Sequence, residues 1–356
     1  MNITSLVAIP ALFAFLTSLL ITPIVIKFAH FAGIVDDPKI NKHPKVIHTY
    51  PVPRGGGLAI FIATSVSILL FLPIDKYTIA ILTGALILTL MGFLDDKYNI
   101  NPYLRLVVQF FAASLPIISG IGISFISNPI SGGIINLSNP QISVNLLGET
   151  RNIWIISDLF ALFWIVLLMN FLNMGAKGVD GQLPGIVVVA AIIISVLSLK
   201  FSADITQWPV IIMSVIIAGS YLGFLPYNIY PQKIMPSFSG SNLAGYYLGI
   251  LSILSTTKVG TLLIILGIPL IDTTYTIARR IISGKSPVWG DRGHLHHKLL
   301  DLGLSKRQVS YFYWISTAIL GILSLYLKST YKLYTLTGIA ILLGGFLLWL
   351  TYRSKS

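Results

Sequence analysis

The sequence predicts an all-α integral membrane protein of about eleven transmembrane helices, and three observations carry that expectation. Of 356 residues, 55% are hydrophobic and 10% charged, with a mean hydropathy of +0.84. A span needs ~20 largely apolar residues, and such runs recur along the whole chain. The charges stand mostly between these runs, and all six histidines fall in connections of one side. There is no cysteine, so disulfides and thiol chemistry are excluded. A net charge of +12 would suggest nucleic acid for a soluble chain. Here Lys and Arg flank apolar runs, where they report orientation and anionic head groups, so the partner is membrane lipid and not nucleic acid.

The first run, Leu6 to Ile26, has no basic residue before it and Lys27 after it, the reverse of a signal peptide. It reads as a retained helix with its N-terminus outside. Helices are expected near 6–27, 56–73, 77–94, 103–120, 153–172, 183–199, 207–225, 240–255, 259–281, 309–327 and 334–352, which leaves the C-terminus inside. With that orientation only Lys76, Arg151, Lys200, Lys258, Lys328 and Lys332 lie outside, and the other eighteen Lys and Arg lie inside. The long outer segment 121–152 alternates apolar and polar residues around Asn139-Pro140 and predicts a small β-hairpin. No repeat or linker interrupts the chain, so 1–356 is one polytopic domain. Its inner loops are 28–55, 95–102, 173–182, 226–239 and 282–308.

Those loops carry the chemistry. The third apolar run (78–94) ends in Asp95-Asp96, and adjacent carboxylates at a lipid boundary repel unless a cation sits between them. Mg²⁺ is held by one or two carboxylates together with substrate phosphates, so this pair is the candidate catalytic and metal-binding element. Loop 28–55 closes on Arg54 and three glycines, a pattern that suits either an anion-binding turn or a tight start to a helix. Asn170 and Asn173 share a helix face before Lys177, Gly178, Asp180 and Gly181. They serve either helix packing or a ligand-reading loop. Ser237, Ser239, Gly240 and Ser241 fit an anion-binding turn and fit a plain cap better. Asp272, deep in the ninth helix, needs a positive partner or a polar cavity. The last inner loop gathers Asp291, Arg292, His294, His296 and His297. Zinc is one reading of three clustered His; a grip on phosphate oxygens suits the Arg, His and Lys mixture better.

In order, PRGGG, GFLDD, NFLN with GVDG, KI with SGS, PLIDTTYTIARR and DRGHLHHKLL resemble the polyprenyl-phosphate N-acetylhexosamine-1-phosphate transferases. That superfamily includes MraY, WecA and TagO, and the last motif is closer to the WecA/TagO branch. The resemblance runs from Pro53 to about Leu300. It implies transfer of sugar 1-phosphate from a UDP-N-acetylhexosamine, foremost UDP-GlcNAc, to undecaprenyl or a similar polyprenyl phosphate at the cytoplasmic face of the cell membrane. UMP is released, and the lipid product feeds peptidoglycan, teichoic acid or lipopolysaccharide. It implies Mg²⁺ as cofactor and Asp95, beside Asp96, as the group that deprotonates or orients the lipid phosphate. By the same resemblance Asp180 meets the uridine, and Arg292, His294, His296 and His297 hold phosphates. Arg54, Asn170, Asn173, Lys177 and Ser239 complete the expected substrate-binding set. Two positions depart from the family. Phe238 stands where its serine loop carries a metal-binding acid, and Ala176 or Lys177, with one extra residue, stands where its asparagine loop carries an acid. Lys177 is therefore a candidate stand-in for metal charge. The alternative is a non-catalytic or metal-independent paralogue that binds lipid-linked or nucleotide sugars. A secondary transporter would place ionisable groups at the midplane of two related halves, which this sequence does not. Sugar identity, lipid length and oligomeric state, a homodimer included, are left open.

Overall fold

The computed structural model describes residues 3–42, 46–128, 130, 132–146, 149–255, 258–286 and 292–353; His43, Lys45 and Asp291 lie outside these. Helices α1 (Ile3–Phe31), α2 (Gly56–Phe71), α3 (Lys76–Tyr98) and α4 (Pro102–Ser119) open the bundle, with the short strands β1 (Val35–Asp36) and β2 (Val52–Pro53) between the first two. Two hairpins follow, β3 (Phe125–Ser127) with β4 (Ile134–Asn136) and β5 (Gln141–Leu146) with β6 (Glu149–Trp154). Then come α5 (Ile155–Gly175), α6 (Gln182–Leu199), α7 (Gln207–Asn228), α8 (Ser237–Leu254), α9 (Lys258–Ile265) and α10 (Gly267–Ile282). A short α11 (Leu295–Asp301), α12 (Lys306–Ser324) and α13 (Ser329–Arg353) complete the chain.

Local sequence explains where the helices begin. The Asp75 carboxylate accepts from the Thr78 N–H at 2.8 Å, and the Asn101 side chain accepts from the Tyr103 N–H at 2.9 Å beside Pro102. Both are N-caps that satisfy an otherwise orphaned donor. Ser305 and Gln308 form a reciprocal capping box at the start of α12. At the centre stands α8, buried at every residue from Ser237 to Ile253. Its neighbours come close because glycines permit it: a Cβ on Gly245 would lie 2.3 Å from the Met169 nitrogen of α5. Tyr246 Oη donates to the Ile81 carbonyl of α3 at 3.0 Å.

Among the described residues seven helices are long and apolar enough to cross a membrane, or eight if α9 and α10 count as one bent span. Each of the eleven predicted helices has a counterpart, but the ninth is broken, with α9 and α10 meeting at 83°. Pro269, near the start of α10, lacks the N–H that a continuous helix would need there. Helix α11, seven residues long, is too short for its period to be read in the sequence. The single predicted hairpin is two: Asn139-Pro140 lies between them, and the β5–β6 ladder runs from Gln141↔Trp154 to Leu146↔Glu149. Strand β6 therefore occupies the first residues expected of the fifth helix.

Candidate active site

The chain folds so that the C-terminal ends of α3, α5, α7 and α10 meet the starts of α2, α4, α6 and α8 at one end of the bundle. A cavity of about 310 Å³ opens there, lined in part by Arg54, Arg105, Lys177 and Arg280. His48, His294, His296 and His297 line it too, with Asn173, Asp180, Asn228, Gln232, Ser237 and Asp36. Segments more than 200 residues apart thus share one polar space, and its permanent charges are mostly positive.

One flank is built on the acid pair. Successive residues of a helix point about 100° apart, so Asp95 and Asp96 diverge and each meets its own arginine. Asp95 Oδ1 and Oδ2 lie 3.2 and 3.1 Å from one terminal nitrogen of Arg105, and Oδ1 also accepts from the Ile100 N–H at 3.0 Å. Asp96 Oδ1 is 2.9 Å from Arg54, with the Ser237 hydroxyl beside it. The guanidinium N–H groups are off the line to that oxygen, so this pairing is ionic rather than hydrogen-bonded. Both carboxylates are almost fully buried, at 3% and 0% side-chain exposure, while Arg105 and Arg54 keep 23% and 28%. The acids stand behind the cavity wall and the arginines form it. Phe238 is buried, and the Arg105 guanidinium sits 4.8 Å from its ring centroid, a cation–π contact.

Lys177 follows α5 and donates to Asn173 Oδ1 at 2.6 Å; that oxygen also accepts from Ser241 at 2.8 Å. Asn170 points elsewhere, donating to Gln109 at 2.9 Å in a chain that continues to Asn242, and it does not line the cavity. Asp180 is 2% exposed and 3.6 Å from Lys306. Burial raises its carboxyl above the ordinary value of 3.8, against the opposing pull of Lys306.

The opposite flank is made of imidazoles. Asp272 is fully buried and holds the His loop in two ways: Oδ2 is 3.0 Å from His294 Nδ1, and Oδ1 accepts from the Leu295 N–H at 2.8 Å. The rings of His294 and His296 stack at 5.5 Å, and those of His296 and His297 meet at a tilt of 48° with centroids 4.3 Å apart. Burial, reinforced by His297, His294 and Arg292, pushes the His296 pKa well below 6.5. The loop fits because Gly178 has no side chain; a Cβ there would lie 2.1 Å from the His296 ring.

Several expected site residues stand outside this space. Arg292 pairs with Asp301 at 2.8 Å on the surface. Ser239 packs between helices: a Cβ on Gly57 would lie 2.2 Å from its hydroxyl, and one on Gly92 would lie 2.4 Å from its own Cβ. The glycines after Arg54 serve packing as well. Gly56 donates its N–H to the Met235 carbonyl and Gly55 donates to the Ser237 hydroxyl, so neither is left for an anion. Conversely, Arg105, His48 and Arg280 enter the wall without having been singled out. Arg105 carried a signal, following the Asn-Pro helix start a short turn after the acids.

Mg²⁺ does not fit this donor set. Among the described residues no three His, Asp or Glu side chains group to hold an ion. The two adjacent acids diverge, each already facing an arginine, and the neighbouring Phe238 offers no donor oxygen from its side chain. A divalent cation would have to displace Arg54 or Arg105 from a buried partner.

Fold and site together define a polytopic helical membrane protein with a largely cationic cavity at one end of its bundle. The profile described as glycosyl transferase family 4 matches residues 78–256. Over 322 residues the chain is 33% identical to the probable undecaprenyl-phosphate N-acetylglucosaminyl 1-phosphate transferase of Bacillus subtilis (strain 168), covering 88% of this chain and 83% of that protein. It is 29% identical to the decaprenyl-phosphate N-acetylglucosaminephosphotransferase of Mycolicibacterium smegmatis, covering 77% and 72%. It is 28% identical to the phospho-N-acetylmuramoyl-pentapeptide-transferase of Caldanaerobacter subterraneus, covering 77% and 83%. The chain belongs to glycosyl transferase family 4, and the superfamily its motifs resemble is the one it falls in.

Proposed function

We propose that this protein transfers N-acetylglucosamine 1-phosphate from UDP-N-acetylglucosamine to polyprenyl phosphate, releasing UMP and leaving a lipid-diphosphate sugar for cell-envelope glycopolymer synthesis. The observation that carries this reading is the convergence of Arg54, Arg105, Lys177 and Arg280, from four distant segments, on one cavity. Two polyanions must meet for the reaction, and repulsion between them is the first barrier that such a wall lowers. The names of the relatives in Bacillus and Mycolicibacterium support the same donor sugar and lipid class.

In the reaction an oxygen of the lipid phosphate attacks the phosphorus that bears the sugar. A P–O bond forms there while the bond to the bridging oxygen breaks, and the electron pair leaves with UMP. A phosphomonoester has a second pKa of about 6 and is already ionised at neutral pH, so the nucleophile needs no strong base. Asp95 and Asp96 then act as positioning residues, aiming Arg105 and Arg54 at the phosphates. Lys177 meets the same charge, while Asp180 takes the nucleoside end, where hydroxyl and N–H donors suit a carboxylate. The imidazoles close the far side over the sugar phosphate. Mg²⁺ is the cofactor that the resemblance implies, and these residue roles do not depend on it. Loops 28–55, 95–102, 173–182, 226–239 and 282–308 form the cytoplasmic face of a cell-membrane enzyme, an orientation supported by the inner excess of Lys and Arg.

The test is UMP release from radiolabelled UDP-GlcNAc by purified protein with undecaprenyl phosphate. Release together with a labelled lipid diphosphate is the expected result. Binding of UDP-GlcNAc with no release would instead favour the non-catalytic paralogue that Phe238 suggests.

A further inference from the structure

The divergence of the two acids has a chemical consequence. Each buried carboxylate anchors one guanidinium at the cavity wall, Asp95 for Arg105 and Asp96 for Arg54. Arg105 is fixed a second time from its face by the Phe238 ring. It spends a single terminal nitrogen on both Asp95 oxygens, so its remaining N–H donors are available to a ligand. The Lys177 ammonium is held by Asn173, itself tied to Ser241 of α8. These cations come from three separate elements, line one cavity and are held by the protein before any ligand arrives. Groups fixed in advance lose little freedom on binding, and a guanidinium fork matches phosphate oxygens in geometry as well as charge.

Resting on the donor reading above, we infer that Arg54, Arg105 and Lys177 take the charge of the bound diphosphate in place of a divalent metal ion. The positions that depart from the family pattern belong to one replacement. Phe238 gives Arg105 a face to lie on, and Lys177 brings a fixed positive charge. An acid at position 238 would draw the guanidinium away from Asp95, so the aromatic ring and the arginine arrangement depend on each other.

The experiment is calorimetric titration of UDP-GlcNAc into the intact detergent-purified protein, in excess EDTA and in excess MgCl₂. The two affinities are expected to agree within about threefold, well under the loss of one charge-assisted contact. In EDTA, Lys177→Gln is expected to bind about tenfold or more weakly while Lys177→Arg stays near wild type, with melting temperatures confirming that both fold. Binding that appears only when Mg²⁺ is added overturns the inference, and this comparison needs no variant. Wild-type affinity of Lys177→Gln in EDTA overturns it as well. No binding of UDP-GlcNAc in either condition overturns the donor reading itself, and the inference with it.

Discussion

The two flanks of the cavity solve the same problem with different chemistry. On one, buried carboxylates of α3 hold arginines, whose charge is permanent at any physiological pH. On the other, Asp272 of α10 holds His294, and the neighbouring His296 is kept neutral by burial. The arginine flank can hold charge without a proton switch, whereas the imidazole flank can donate or accept a hydrogen bond and stays sensitive to pH. An anionic substrate gripped from one side and shaped from the other is what this asymmetry suits.

Breaking the arginine flank should have the largest effect. Asp95→Asn keeps the shape but leaves Arg105 without its ionic partner, and loss of such a charged contact costs about 1.5–3 kcal/mol. UMP release is expected to fall by about 10- to 100-fold, read with a melting curve that shows the fold retained. Unchanged turnover would remove Asp95 from the account. Next comes the contact that joins the flanks. Gly178→Ala puts a methyl into the His296 ring, and overpacking of this kind costs about 1–3 kcal/mol. A lower melting temperature and reduced UMP release are expected together; a wild-type melting curve would mean that the ring is free to move aside.

The imidazole flank should then show itself in pH dependence. The His296 pKa is depressed on folding, so below 6.5 the unfolded chain binds more protons than the folded one. Stability is therefore expected to fall as the pH drops through 6.5, and His296→Asn should flatten that part of the profile. A wild-type profile that rises on acidification would contradict the burial of a neutral ring. The smallest effect on the fold is expected at Asp180. Its folded pKa is raised, so its contribution to stability is lost as pH rises above 3.8, and its ionised form is a net cost at neutral pH. Asp180→Asn should leave the melting temperature equal or higher while weakening UDP-GlcNAc binding. A fall in melting temperature with unchanged binding would make Asp180 a purely structural residue.

How far the sequence foretold this comparison depends on the range of each interaction. Apolar runs marked where the long helices lie, because hydropathy is a property of each segment by itself, although among the described residues only seven or eight of them are long and apolar enough to cross a membrane. Asp95, Asp96, Lys177 and Asp180 were conspicuous as scarce charges beside apolar segments. Their partners were not, since the pairing of Asp95 with Arg105 needs a turn and a second helix, and that of Asp272 with His294 spans 22 residues of chain. Ser239 read as a plain cap from its neighbours and as a ligand residue by resemblance; it lies inside α8, whose start has no side-chain cap, and does neither. Its packing against Gly57 and Gly92 joins helices far apart in sequence, which no local pattern reports. The break at Leu266 and the division of one hairpin into two depend on local backbone preferences that hydropathy does not report.

The central claim is a location: the diphosphate of the donor lies among Arg54, Arg105 and Lys177, with its nucleoside directed toward Asp180. An electron cryomicroscopy structure of the protein with bound UDP-GlcNAc tests it directly. The account requires diphosphate oxygens within hydrogen-bonding reach of Lys177 and of at least one of the two arginines. A diphosphate bound away from all three cations would contradict it.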